Sequence, residues 1–409
     1  MSKFLTLDDF KLKDKTVLVR VDFNSPVDPD TKKVLDDTRI RAHGKTTIKE
    51  LAEKGAKVVI LAHQGRKGDP DFIPLKQHAE VLGKILKKPV KYVDDLMGGK
   101  VKDAIKKLKS GEILVLGNVR NFPNETKEGT PEQHAETELV KALAPLADIF
   151  VNDAFAAAHR AHVSIIGFTA KLPSAAGRIM EKELKSLSRV LESPEKPCAF
   201  ILGGAKADDS LEISNYVLSN KIADYVLTGG VVGQTFLAAR NVDIGPKNME
   251  LLKQKELMDL IPGIRQLIQK YMEQIRTPVD VAVDENGKRE EIPIEKMPTG
   301  LSIFDIGRKT VDAYGKIIKK SKTIVVSGPM GVYENKEFSY GTKTVFQEIA
   351  ASKAFSLAGG GHTIAALQEF ELSSKISYIS TAGGALIEFL MGKKLPGVAA
   401  LEKAAAKTP

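Results

Sequence analysis

Eight short runs rich in Val, Ile and Leu recur along the chain without alternating apolar and polar residues: TVLVRVDF at 16–23, KVVILAHQG at 57–65, EILVLGNVR at 112–120, IFVNDAF at 149–155, CAFILGGAK at 198–206, YVLTGG at 225–230, TIVVSGPMG at 323–331 and FSLAGGG at 355–361. A strand with one wet face alternates; a strand that is apolar throughout is covered on both faces, as in a parallel sheet sandwiched by helices. Charged helical stretches separate the runs, for example TRIRAHGKTTIKELAEK at 38–54. Strand–helix alternation of this kind predicts doubly wound α/β architecture. The length of 409 residues, at about 150 residues per domain, suggests two or three domains. A boundary is expected near 170–195, where a turn at Pro173 and Gly177, a helix and a linker bearing Pro194 and Pro197 follow one another.

Composition excludes several classes. Hydrophobic residues make up 43% and charged residues 28%, the proportions of a globular chain rather than a disordered or fibrous one. Cys198 is the single cysteine, so there is no disulfide framework, and a reducing, cytoplasmic setting is expected. MSKFLTLDDFKLKDK at the N-terminus has no signal-peptide core, and no apolar run reaches the roughly 18 residues of a membrane span. Trp is absent and Tyr is scarce, which argues against single-strand nucleic-acid binding by stacking. The formal charge of +9 (61 basic against 52 acidic residues) fits a phosphorylated substrate or plain solubility charge equally well.

The polar residues cluster where the runs end, and in open α/β sheets ligands bind at that edge. In the first half these residues are Asp22, Asn24, His63, Arg66, Arg120, Asp153, His159 and Arg160. In the second half they are mainly glycines: Gly203-Gly204, Gly229-Gly230, Gly328, Gly331 and Gly359-Gly360-Gly361. One half therefore reads as a site for a small, strongly anionic molecule, the other as a site for close backbone approach to a larger ligand. Arg39, Arg66, Arg120 and Arg160 suit paired hydrogen bonding to phosphate or carboxylate, although any one arginine alone is more often solvated. Asp22 and Asn24 suit hydroxyl recognition or an ordinary turn. GGAK at 203–206 permits phosphate approach, with Lys206 as a point charge, or is a tight turn; it is not a Walker loop. AGGGHT at 358–363 opens a helix N-terminus to an anion. No dinucleotide fingerprint accompanies it. Glu334 is either a ribose ligand or a surface carboxylate. No His/Cys cluster has zinc spacing.

Taken together, RVDFNSPVD (20–28), DDTRI (36–40), AHQGR (62–66), GNVR (117–120), NDAFAAAHRAHVS (152–164), AGRIMEKEL (176–184), LGGAK (202–206), GGVVGQTFL (229–237), SGPMGVYE (327–334), GGGHT (359–363) and STAGGALIEFL (380–390) resemble the phosphoglycerate kinase family, in family order over almost the whole chain. The resemblance implies two doubly wound, Rossmann-like parallel-sheet domains joined by a hinge. Residues 1–175 would bind 3-phosphoglycerate, with the tail 385–409 packing back on them, and 176–384 would bind nucleotide. It implies reversible, in-line phosphoryl transfer between 1,3-bisphosphoglycerate and ADP with Mg2+, as a monomer or homodimer without nucleic-acid or membrane partners. Asp22, Phe23, Asn24, Arg39, His63, Gln64, Gly65, Arg66, Arg120 and Arg160 would bind phosphoglycerate. Gly203, Gly204, Lys206, Glu334, Gly359, Gly360, Gly361 and His362 would bind nucleotide, and Arg39 and Lys206 would stabilise the transferring group.

Two positions depart from the bacterial and eukaryotic pattern. Ser210 stands where a second lysine follows the GGAK lysine, and His362 stands where the glycine motif has Asp. Both point to the archaeal branch. Magnesium prefers oxygen ligands, so the metal is expected to be held mostly by phosphates and water, with Asp208 or Asp209 helping through water and His362 donating to a phosphate. Direct protein ligands to the metal are not readable. A non-catalytic two-lobed anion-binding protein and a kinase of another small phospho-acid are the alternatives.

Overall fold

The computed structural model describes residues 4–407. They form two compact units, one running to Lys185 and resuming at Lys394, the other spanning Ser186–Lys393.

In the first unit, β1 (Thr16–Arg20), β2 (Lys57–Leu61), β3 (Val90–Tyr92), β4 (Ile113–Val115), β5 (Ile149–Asn152) and β6 (Ser174–Ala176) make one sheet in the order β3-β4-β2-β1-β5-β6. Every pairing in it is parallel. Successive residues of one strand enter different cores. Val17, Val19, Val58 and Ile60 pack with Ile40, Leu51 and Leu75. Leu18, Val59 and Leu61 pack with Phe150 and Phe168 on the opposite face. Two buried faces are why these strands show no alternation in sequence.

In the second unit, β7 (Cys198–Leu202), β8 (Tyr225–Thr228) and β9 (Ile275–Arg276) precede an antiparallel sheet of β10 (Asp280–Glu285), β11 (Lys288–Pro293) and β12 (Ser302–Ile306). Then β13 (Thr323–Ser327), β14 (Phe355–Gly359) and β15 (Tyr378–Ser380) complete a parallel sheet ordered β15-β14-β13-β7-β8-β9. The antiparallel sheet was not legible in the apolar runs. Its hairpin pairs Glu285 with Lys288 across Asn286-Gly287, both left-handed (φ 53 and 82), as a two-residue turn matched to strand twist requires.

In each parallel sheet the strand order reverses at one place, between β1 and β5 and between β7 and β13. A crevice opens there at the carboxyl ends of the strands. The helix Arg178–Leu191 carries the chain out of the first unit. Its first turns stay with that unit because Arg178 pairs with Asp8, Glu50 and Glu181. The helix Pro396–Ala405 returns to the first unit, burying Ala400 among Ala154, Ala157, Ile165 and Ile166. Gly397 N–H donates to the Ala158 carbonyl at 2.8 Å. A Cβ at Gly397 would sit 3.1 Å from the Ala158 Cα, a tight approach that glycine eases.

Candidate active site

Sheet register assembles the first site. Arg20, the last residue of β1, pairs with Leu61 on one side and Asn152 on the other. The segments leaving these strands, at Asp22–Asn24, His63–Arg66 and Asp153, therefore emerge side by side. Asp22 is buried and forms an ion pair with Arg39 from the helix Thr38–His43. Its other oxygen accepts the Asn24 backbone N–H at 3.0 Å, and the Asn24 side-chain oxygen accepts Gly65 N–H at 2.9 Å. Burial pushes the Asp22 carboxyl up, but the surrounding basic groups, with Arg39 in direct contact, pull it below its ordinary value.

Arg66, Arg120 and Arg160 meet in a cavity of ≈ 610 Å³, with Lys67 and His162 at its wall. Arg120 donates to the Gly65 carbonyl, and Arg160 Nε lies 3.3 Å from His159 Nε2. Gly65 has φ +65°, and a Cβ there would meet the Asp71 backbone at 2.5 Å, so this turn tolerates only glycine. Two residues from the expected set face inward. Phe23 is fully buried in the core. The Gln64 amide is also buried and is committed to Ser25 N–H, the Ser25 and Asp71 carbonyls and His78. Their side chains shape the loops that carry the neighbouring polar residues.

His63 is buried, and its Nδ1 lies 3.1 Å from Arg20 Nη2. A guanidinium has only donors, so Nδ1 accepts, and the ring is neutral with its proton on Nε2. Burial and the nearby Arg20 agree, holding the imidazole well below its usual range. His63 is thus a hydrogen-bond donor within the basic cluster rather than one of its charges.

Arg20 and the buried Glu125 were not picked out from the sequence. Arg20 gives Nε to Ser164 Oγ at 2.8 Å and Nη1 to the Val21 carbonyl. Ser164 in turn donates Oγ–H and its backbone N–H to Glu125, at 2.6 and 3.0 Å. The signal for Arg20 was a charge inside a buried strand. Glu125 had none, sitting in the polar stretch PNETKEG.

In the second unit, Ser327 of β13 pairs with Leu202 of β7 and Gly359 of β14, which aligns the three glycine turns. Gly203 and Gly328 are needed by each other: a Cβ on Gly328 would lie 2.2 Å from the Gly203 carbonyl oxygen, and one on Gly203 equally close to the Pro329 oxygen. Gly359 is pressed against Leu386. Gly360 (φ +94°) precedes the helix Gly361–Glu369, whose N-terminus has no side-chain cap, and Gly361 faces open space. A cavity of ≈ 510 Å³ is lined by Gly204, Gly230, Leu251, Val332, Glu334 and His362, among others. Glu334 Oε1 and His362 Nδ1 are 3.7 Å apart at its rim. Lys206, just before the helix Ala207–Ser219, is 80% exposed and 3.6 Å from Asp209. Burial, reinforced by Asp208, raises the Asp209 carboxyl. Among the described residues, no group of three or more His, Cys, Asp or Glu is placed to hold a metal ion. No helix among them is long and apolar enough to cross a membrane.

The family model for phosphoglycerate kinase matches residues 7–393. The chain belongs to the phosphoglycerate kinase family. The phosphoglycerate kinase of Methanothermus fervidus is 48% identical over 404 residues, which cover 99% of this chain and 98% of the relative. That of Saccharolobus solfataricus is 45% identical, over 97% and 96%. The crystal structure of phosphoglycerate kinase from Pyrococcus horikoshii OT3 matches with a TM-score of 0.87 at 42% identity, covering 99% of this chain and 100% of that one. The archaeal relationship expected from Ser210 and His362 is borne out. So is the fold, two doubly wound parallel sheets. Phosphoglycerate kinases are glycolytic phosphotransferases that move a phosphoryl group between 1,3-bisphosphoglycerate and ADP, and this chain is one of them by family, relatives and fold.

Proposed function

We propose that the first unit binds phosphoglycerate and the second binds nucleotide. The observation that carries this reading is the convergence of Arg66, Arg120 and Arg160 on one cavity. Three guanidinium groups suit a phosphate dianion better than any neutral ligand. Asp22 and Asn24 accept from and donate to the glycerate hydroxyl and carboxylate, and His63 adds a neutral N–H. In the second unit the open helix start at Gly360-Gly361 receives nucleotide phosphates, Glu334 the ribose hydroxyls, and His362 donates to a phosphate.

Transfer follows in line. A carboxylate oxygen of 3-phosphoglycerate bonds to the γ-phosphorus of ATP as the bond to the β,γ-bridging oxygen breaks, and ADP leaves with that electron pair. No covalent residue is needed; positioning and charge neutralisation suffice. Arg39 and Lys206 supply the neutralisation. Magnesium would come with the nucleotide, where Asp208 or Asp209 would help hold it through water, and it would supply neutralisation of the phosphate charge. Flexing near 170–195 and at STAGG, 380–384, brings the bound ligands together and keeps water out. The enzyme works in the cytoplasm, as a monomer or homodimer.

A coupled assay with 3-phosphoglycerate and Mg-ATP tests the roles. Turnover by the wild type, falling by orders of magnitude in both Arg39→Ala and Lys206→Ala, is the expected result. Binding of 3-phosphoglycerate without turnover would make the chain an anion-binding protein. Small-angle scattering should show compaction only when both substrates are present.

A further inference from the structure

We propose that Glu125, acting through Ser164, is a positioning residue for the phosphoglycerate site: it fixes Arg20, and Arg20 fixes the protonation pattern of His63. This rests on the assignment of that site to phosphoglycerate.

The chain of contacts is continuous and buried. Glu125, Ser164, Arg20 and His63 are exposed by 2, 0, 2 and 7%. Glu125 accepts both hydrogens that Ser164 can offer, at 2.6 Å from Oγ and 3.0 Å from the backbone N. The hydroxyl proton is thereby committed, and a lone pair of Oγ is left for Arg20 Nε at 2.8 Å. The guanidinium plane is then held at each of its three nitrogens: Nε on Ser164, Nη1 on the Val21 carbonyl, Nη2 on His63. A planar group held at three points cannot rotate, so Nη2 stays aimed at Nδ1 and that nitrogen stays bare. Without the Ser164 anchor the guanidinium would be free to turn away. Nδ1 could then take up the proton, and the N–H of the ring would be lost from Nε2.

The carboxylate answers a second need. Arg20 is enclosed, and Glu125 supplies buried negative charge one hydroxyl away. Burial lifts the Glu125 carboxyl to about 7 while Arg20 and the Ser164 bonds oppose the rise, so the full negative charge is present above neutral pH. The four segments that supply the contacts are remote in sequence: β1, the residues just after β2, the stretch after Arg120, and the short helix Val163–Ile166. Two of them also carry the cavity arginines Arg120 and Arg160 on or next to them. The network therefore ties the walls of the cavity to its histidine.

The test combines ring 15N NMR of His63, assigned with a His63→Asn variant, with steady-state kinetics. The wild type should show a bare Nδ1 and a protonated Nε2 at neutral pH. Ser164→Ala should shift this signature toward a tautomer mixture. It should also raise KM for 3-phosphoglycerate about 10-fold or more, as expected for losing a hydrogen bond to a charged group. KM for Mg-ATP should stay unchanged. Ser164→Thr, which keeps the hydroxyl, should restore both readouts. Glu125→Gln, which keeps the shape but loses one acceptor, serves if Ser164→Ala fails to fold, and should move both readouts the same way. A merely structural network would lower Tm and leave the ring signature and KM alone. That outcome overturns the proposal, as does a protonated Nδ1 in the wild type or a changed signature with no rise in KM. If the wild type does not turn over phosphoglycerate at all, the substrate assignment fails, while the ring signature still reports whether the network holds His63.

Discussion

Two glycines of the second unit look alike in sequence and should behave in opposite ways when replaced by alanine. At Gly361 the added Cβ meets nothing within 4 Å, and the residue is the first of the helix Gly361–Glu369. Alanine is a better helix former and loses less entropy on folding, so Gly361→Ala should leave stability unchanged or raise it by up to ~1 kcal/mol. The open space is where the nucleotide phosphates are proposed to lie. A methyl group there keeps a phosphate oxygen from the helix N–H groups. Losing one hydrogen bond to a charged group costs about 1.5–3 kcal/mol, which is about 10- to 100-fold in Kd. At Gly203 the Cβ would lie 2.2 Å from the Pro329 carbonyl oxygen and 2.8 Å from its carbon. Backbone must move, at a cost of about 1–3 kcal/mol, and a fall in Tm on the order of 5 °C follows for a unit of this size. Calorimetry of Mg-ADP binding and thermal melts of the two variants measure both quantities. Wild-type Mg-ADP affinity in Gly361→Ala would refute the phosphate placement. An unshifted Tm in Gly203→Ala would refute the reading of that glycine as a packing residue.

Other outcomes follow from the ion pairs and the tail. Arg178 contacts Asp8, Glu50 and Glu181, and its side-chain bonds hold the carboxyls of Glu50 and Asp8 below their ordinary values. A depressed carboxyl stabilises the fold above its unfolded pKa, about 4 to 4.5, and that gain is lost as pH falls through the lower folded value. Arg178→Met should therefore lower Tm by a few degrees at pH 7, with the gap to wild type closing toward pH ~3; a gap that is constant with pH would contradict the assignment. Ala400→Asp places an unpaired charge in the Ala154–Ile166 cluster and should cost several kcal/mol. The loss should appear as early melting of the first unit with Mg-ADP binding intact, and failure of both together would show that the tail serves the whole molecule.

The central strands were legible because burial on both faces writes an unbroken apolar run. All eight runs became interior strands of the two parallel sheets. The strands that escaped notice, β3, β6, β9 and β15, are the sheet edges, two or three residues long; so short a segment carries too few residues to declare a period. The hairpin of β10 and β11 was missed for another reason: KREEIP is polar, and only the Asn286-Gly287 turn announced it. The candidate residues lie where a run ends. What could not be read is which of them touch each other. Phe23 and Gln64 sit inside the site motifs and turn out to face the protein. Glu125, in a loop of ordinary polar composition, becomes the buried partner of Ser164 only because the first unit folds three distant segments together.

The return of the last helix has a consequence for how the protein is made. The second unit is one uninterrupted stretch, Ser186–Lys393, whereas the first is assembled from two pieces of chain that flank it. During synthesis the ribosome delivers most of the first unit early, yet the cluster around Ala154 and Ile165 stays open until Ala400 emerges. The later-made unit can thus complete its core first, and the earlier-made one closes only after Ser186–Lys393 has been made and the returning helix has followed it. A domain interrupted in this way checks that everything inserted within it has been translated before it becomes fully stable.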